Sequence, residues 1–365
     1  MSSPRLSLTV SLADQNFART KSVGIFNLAT GLVERLAART DLDALTVLGG
    51  AGSDDARWPD WVKRERHEAA AAGRLARLWW DQWGVYSAAR RSGNEWLLLP
   101  KGYASFVRRP PVKLAVYVHD AMLDFYRRNH PAGFGRAEEL YFRCALRGSL
   151  RHARVIFTNT AFTASEVQRL AREAGMPPVA TVVAGIGFKP TAPTTEERRG
   201  LVVLASPFPH KLTGRAVEWL ARWQTETGFD AGVTWVGRLP DGLRLPELRG
   251  WMRHERLPEA AYRALLARAR VLVFFSEYEG FGMPPVEAAI AGACPVFSRI
   301  PPTVEAMGAG GEAFDNGDYQ SFFGALQRAR ETPPERIAAW RAELLARHDW
   351  QTVAGRVVEA LRERG

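Results

Sequence analysis

Apolar residues cluster along this chain in two patterns. Leu6–Leu12 is a short alternating strand, and runs of strand length rich in apolar residues occur at Ala44–Leu48, Trp96–Leu99, Leu114–Val118, Val155–Asn159 and Val179–Val183. They recur at Gly200–Ser206, Gly232–Gly237, Val271–Ser276 and Cys294–Ser298. Between them lie stretches with apolar positions at helical spacing: one ending at Arg35, then Ala137–His152, Pro258–Ala269, Tyr319–Arg330 and Val353–Leu361. Short apolar runs separated by amphipathic helices predict an α/β protein with parallel sheets, buried on both faces. A length of 365 residues suits two domains better than one, and Lys189–Gly200, rich in Pro, Thr and Glu, reads as a linker.

The stretch Val271–Ser298, VLVFFSEYEGFGMPPVEAAIAGACPVFS, organises the second half. Val271–Ser276 is the strand, Glu277–Gly282 a glycine-bearing loop, and Pro285–Ala291 a helix stopped by Gly292. Pro284 and Pro285 suit the first turn, whose backbone N–H groups have no intrahelical partner to lose. The loop then sits at the carboxyl end of a parallel strand, where open α/β sheets bind ligands. Glu279 lies on the loop and Glu287 is expected in the first helical turn, so both can face one ligand. Glycines admit close backbone approach, a helix N-terminus favours a phosphate, and a carboxylate accepts two sugar hydroxyls. Taken alone, Glu287 reads equally as a residue that favours a helix start.

Charge widens the picture. The formal net charge is +10 and the pI about 10.0, which favours anionic partners: nucleotide phosphates, anionic lipid or nucleic acid. No run is long and apolar enough to span a bilayer, and the N-terminus lacks a signal-peptide hydrophobic region, so a cytoplasmic protein is expected. Two cysteines, Cys144 and Cys294, fit a reducing compartment, and neither lies near a His/Cys cluster, so no zinc site is expected. Arg57–Arg91 is the most basic and Trp-rich segment. In it Leu75, Leu78, Trp79, Trp83 and Tyr86 recur near helical spacing among Arg74, Arg77, Arg90 and Arg91. Tryptophan with arginine suits a lipid headgroup layer; an amphipathic helix packed on its own sheet gives the same spacing.

Other candidates lie at strand ends. Lys21–Asn27 is a glycine loop leading into a helix, with Gly24 as its candidate anion contact. Asp41-x-Asp43 precedes a strand and reads as a helix-to-strand turn, not a metal pair. His119-Asp120 closes the strand Leu114–Val118; Asp120 either orients His119 or faces an acceptor. Arg143, Arg147 and Arg151 form a basic row on one helix, read as a solvated face. Thr160 looks like a helix cap. In the second half, Ser206-Pro-Phe-Pro-His210-Lys211 joins a strand to a helix, and a lysine there can neutralise a diphosphate.

The string Glu279-Gly-Phe-Gly, Pro285, Glu287-Ala, Ala291-Gly292 and Pro295-Val296 resembles the signature of retaining glycosyltransferases of family 4, which have the GT-B fold of two Rossmann-like domains facing a cleft. The resemblance implies that Glu279, Gly280, Phe281 and Gly282, with Met283, hold the donor sugar and that Glu287 holds the ribose. It extends to Val116–Ala121, where the family's histidine bonds the donor sugar, implicating His119. It also covers Gly24 at the donor phosphate, Thr160–Thr163, the interdomain turn Ala184–Gly187, Glu305 and the closing segment His348-Asp-Trp350. In the family the phosphate loop carries Lys plus Arg. Here His210 stands directly before Lys211 and Ser206 or Pro207 occupies the earlier position, with His210 or Arg238 as the substitute cation. The implied domains are 1–185, 186–345 and a final helix, 346–365, that crosses back to the first.

What the resemblance implies is transfer of a hexosyl group, with retention and without a metal or other cofactor, from a nucleoside diphosphate sugar to a saccharide or lipid-linked acceptor. GDP-mannose is the first choice of donor, with UDP-hexoses and dTDP-rhamnose open, in polysaccharide or glycolipid synthesis at the inner membrane face. Glu279, His119 and Lys211 are the expected catalytic residues. Two rivals stand beside it: a nucleotide-sugar epimerase of the same fold, and a basic-surface protein binding nucleic acid or lipid. Paired carboxylates at the anion site argue against nucleic acid there.

Overall fold

The computed structural model describes residues 6–13, 23–50, 58–131, 135–191 and 197–365. The chain divides into two compact units, 1–187 with 348–365, and 188–347. The first is built on strands β1 (Ser7–Ser11), β2 (Ala44–Gly49), β3 (Lys63–Arg66), β4 (Trp96–Leu99), β5 (Lys113–Val118), β6 (Val155–Thr158) and β7 (Thr181–Val183). They pair in the order β3-β2-β1-β4-β5-β6-β7, every pairing parallel. Its helices are α1 (Val23–Ala37), α2 (Arg74–Trp79), α3 (Val85–Ser92), α4 (Met122–Asn129), α5 (Arg136–His152) and α6 (Ala161–Glu173). Thr160 caps α6, its side chain accepting from the Thr163 amide at 3.1 Å.

The second unit holds β8 (Arg199–Leu204), β9 (Val233–Val236), β10 (Trp251–His254), β11 (Ala269–Phe274), β12 (Cys294–Ser298) and β13 (Glu312–Phe314), in the order β10-β9-β8-β11-β12-β13, again all parallel. This reversal beside β8 is the Rossmann switch point, where ligands collect beyond the strand ends. Its helices are α7 (Thr213–Thr227), α8 (Glu259–Arg268), α9 (Met283–Ala291), α10 (Pro301–Met307), α11 (Tyr319–Glu331) and α12 (Pro334–Arg347). The final helix, α13 (Trp350–Glu363), belongs to the first unit and packs on α1. Gly31 and Gly187 make room for its buried Trp350: a Cβ at either would come within about 2.5 Å of the indole. Arg362 ties the same helix to Asp41 at 3.0 Å, and Arg39 binds that carboxylate with both forks. The Asp41-x-Asp43 pair is therefore a structural turn.

Three differences from the sequence reading have physical causes. β3 and β10 are edge strands made of charged or exposed residues, so they carry no apolar run to betray them. The Leu75–Tyr86 stretch is helical, as its spacing predicts, but it runs as α2, a π-helical turn at Trp80–Gly84 and α3 instead of one regular helix, and the basic segment before it holds β3. Helix α9 starts at Met283 behind Gly282, whose φ of 92° serves the turn, so Glu287 lies in the second turn and not the first.

Candidate functional site

At the carboxyl edge of the second sheet, two loops meet. The loop after β8 begins at Ser206, whose amide and carbonyl both bond the Thr213 hydroxyl at 3.0 and 2.7 Å. It passes through a tight turn at Pro209–Lys211 and enters α7 at Leu212, with φ 48°, which among the described residues is the one non-glycine in the left-handed region. Such strain persists only where surroundings enforce it. Here the latch by Thr213 and the packing of Leu212 on the core do so. The consequence is the placement of Lys211. Its ammonium pairs with the Glu279 carboxylate and lies 4.9 Å from the Phe274 ring centroid.

The loop after β11 is fixed from beneath by a polar network. The Ser276 amide donates to Ser298 Oγ at 2.9 Å, Ser298 bonds Asn316 Oδ1 at 2.6 Å, and Asn316 Nδ2 donates to the Ser276 carbonyl at 2.9 Å. Glu277 N–H donates to the His210 carbonyl at 2.7 Å, joining the two loops directly. Ser276, Ser298, Asn316, Thr213 and Leu212 escaped the sequence reading. A serine at a strand end and a distant asparagine give no local pattern; only the strand order brings them together.

Gly282 admits the Thr303 side chain where a Cβ would meet it at 2.5 Å, and Phe281 is buried against Phe188 with centroids 6.0 Å apart. Pro284 and Pro285 hold the second and third positions of α9, so they supply no amide. The first-turn donors for an anion are Gly282 and Met283, backed by the helix dipole. Arg341 and Arg198 satisfy the other end of α9, donating to the carbonyls of Ile290 at 2.8 Å and Ala291 at 2.6 Å.

The remaining candidates are dispersed. Glu287 turns toward α8: burial lifts its carboxyl to about 7, against the attraction of Arg263 and with the repulsion of Glu259. His210 is buried with its ring stacked on Phe208 at 6.0 Å. Arg238 is exposed, 4.0 Å from Asp241. In the first unit, His119 is buried and stacked on Tyr117 at 4.9 Å. Its Nε2 faces the Pro100 carbonyl at 2.5 Å, so Nε2 carries the proton and Nδ1 is the acceptor. Burial holds its pKa near 4, so the ring is neutral at neutral pH. Asp120 accepts from the Met122 amide at 2.9 Å at the start of α4, and both residues line a cavity of about 50 Å³ with Lys101 and Tyr103. Gly24 is the second residue of α1; the loop before it, 14–22, lies outside the described residues. Among the described residues no three His, Cys, Asp or Glu side chains cluster as metal ligands.

This architecture, two all-parallel Rossmann-like sheets, is the GT-B fold. The chain superposes on the structure of Anabaena Alr3699/HepE in complex with UDP and glucose with a TM-score of 0.66 and 16% identity, covering 98% of this chain and 100% of that one. Residues 254–342 match the family described as glycosyl transferases group 1. The fold and this segment together are those of a glycosyltransferase. The chain is 25% identical, over 92% of its length and 95% of the relative's, to the O-antigen chain mannosyltransferase B of Escherichia coli. It is also 32% identical, over 27% of each, to the GDP-mannose:cellobiosyl-diphosphopolyprenol alpha-mannosyltransferase of Xanthomonas oryzae.

Proposed function

We propose that the protein transfers a mannosyl group from GDP-mannose to a hydroxyl of a saccharide or lipid-linked acceptor, with retention, in the assembly of a cell-surface polysaccharide or glycolipid. The observation that carries this reading is the junction of the two loops, which sets the Lys211 ammonium against the Glu279 carboxylate at the mouth of α9. A sugar diphosphate offers that pair what each needs: phosphate oxygens for the lysine and sugar hydroxyls for the glutamate. The bond between C1 and the diphosphate breaks, the acceptor oxygen takes C1, and the acceptor's proton passes to the departing phosphate oxygen. Lys211, the Gly282 and Met283 amides and the α9 dipole stabilise the charge that builds on that oxygen. Glu279 orients the sugar, Glu287 holds the ribose, and Nδ1 of His119 accepts from a hydroxyl of the transferred sugar. The reaction needs no metal, so turnover persists in chelator. In the first unit, a groove of about 370 Å³ has an apolar floor including Leu123, Phe142 and Leu146, and its charged lining is mixed, with Arg127, Arg143 and Arg147 beside Asp124, Glu139 and Glu173. The names of the two mannosyltransferase relatives support the donor and the acceptor class.

A thermal-shift screen of GDP, UDP and dTDP sugars tests the donor: GDP-mannose should raise the melting temperature most, since a ligand of the native state stabilises it. A larger shift with another donor would overturn that choice. Consumption of the donor without any acceptor, yielding a second sugar nucleotide, would overturn transfer in favour of epimerisation.

A further inference from the structure

We propose that the face formed by α2, the π-helical turn, the loop at Phe106–Val107 and the first turns of α5 docks on an anionic lipid bilayer. This inference does not rest on the choice of donor or acceptor. Leu75 is 82% exposed, Trp79 59% and Val107 57%, and Trp83, Phe106 and Leu140 are exposed as well. These side chains come from three separate parts of the chain, and polar contacts lock the parts together. Gln82 Oε1 accepts from the Phe106 amide at 3.2 Å and from the Ser105 hydroxyl at 2.9 Å. The Phe106 ring stands edge-on to Tyr141 at 5.8 Å, and the Tyr141 hydroxyl donates to Asp81 at 2.8 Å. Lys101 pairs with the other Asp81 oxygen, so the one carboxylate inside this assembly is neutralised.

The π-helical turn separates two adjacent tryptophans. Gly84 lies beneath both, and a Cβ there would fall 2.7 Å from each ring. Trp80 is thereby sunk into the core while its neighbour Trp79 faces out. A contiguous apolar surface of this kind, held in place by a hydrogen-bonded support, marks an interaction site. Its surroundings name the occupant. Arg74 and Arg77 on α2, Arg109 after the loop and Arg136 and Arg143 on α5 are exposed, against one exposed carboxylate on these elements among the described residues, Glu138. Guanidinium groups bind lipid phosphates, indole rings settle at the headgroup level, and the formal charge of +10 draws the chain to a negative surface. Among the described residues no helix is long and apolar enough to cross a membrane, so the contact is one of lying on the surface.

Cosedimentation of the full chain with vesicles tests this. Wild type should pellet with phosphatidylcholine vesicles containing phosphatidylglycerol, much less with phosphatidylcholine alone, and less as salt is added. Leu75→Ser with Trp79→Ser should weaken binding at least about tenfold while the melting temperature holds, because both side chains are exposed. Should the double variant not fold, Leu75→Ser alone should still weaken binding severalfold. Wild type left in the supernatant with anionic vesicles at low salt would overturn the proposal, and so would equal binding by the variant. A dimer that the double variant makes monomeric, without vesicle binding by wild type, would assign the face to a second copy of the chain instead.

Discussion

Substituting Glu287 tests the donor site and its electrostatics together. Its carboxyl rises from 4.5 to about 7 because burial against α8 penalises the charge, with Arg263 opposing and Glu259 reinforcing. A carboxyl whose pKa is higher in the folded state contributes most when protonated. That contribution is complete below the unfolded value and is lost as pH rises through the folded one. The shift amounts to about 3 kcal/mol at about 1.4 kcal/mol per pH unit, an upper bound for a half-buried side chain. Glu287→Gln keeps the shape and removes the charge. It should melt with wild type near about pH 5 and exceed it increasingly toward about pH 8, by several degrees at about 2–4 °C per kcal/mol. Scanning fluorimetry across that range reads the difference directly. The donor reading adds a linked effect: ribose hydroxyls bond best to an ionised carboxylate, so donor binding below about pH 7 should release a proton. Calorimetry in buffers of different ionisation heat measures it. Parallel melting profiles for the two proteins would refute the burial argument; donor binding without proton release would refute the ribose contact.

Four further outcomes are expected. Lys211→Ala should cut turnover at least about a hundredfold, measured as nucleoside diphosphate release, with little change in melting because its pair with Glu279 is partly exposed. Asn316→Ala strands the Ser298 hydroxyl and the Ser276 carbonyl and should cost about 1–3 kcal/mol in denaturant unfolding. Trp350→Ala vacates the seat made by Gly31 and Gly187 and should cost about 3–5 kcal/mol; a loss under about 1 kcal/mol would show that α13 is held otherwise. The pKa of His119 is depressed to about 4, so its contribution is present above the unfolded value of about 6.5 and is lost as pH falls toward 4. His119→Gln should therefore flatten the acid side of the stability profile, read from urea midpoints near about pH 7 and about pH 4.

Much of the framework was legible because parallel strands buried on both faces must be apolar throughout. The runs at Trp96–Leu99 and Cys294–Ser298 were read with the bounds the structure shows, and most other apolar strands within a residue or two. The charged edge strand Lys63–Arg66 was not, since an edge needs no apolar run. The loop around Glu279 stood out for a different local reason, an arrangement of glycine and proline with mechanical meaning. The position of Glu287 depended on where α9 began, and Met283 and Gly282 decided that through the Thr303 contact and a positive φ.

The sequence by itself determined the fold class, the strand-end loops and the residues available for chemistry, because each follows from neighbours a few positions apart. Only the tertiary structure decided which groups meet. Lys211 reaches Glu279 across 68 positions, Ser276 finds Asn316 across 40, and Tyr141 reaches Asp81 across 60. Strand order and burial bring those side chains together, and the same forces set the carboxyl of Glu287 near 7 and the imidazole of His119 near 4. Desolvation belongs to the whole packed environment, and no local stretch of sequence carries it.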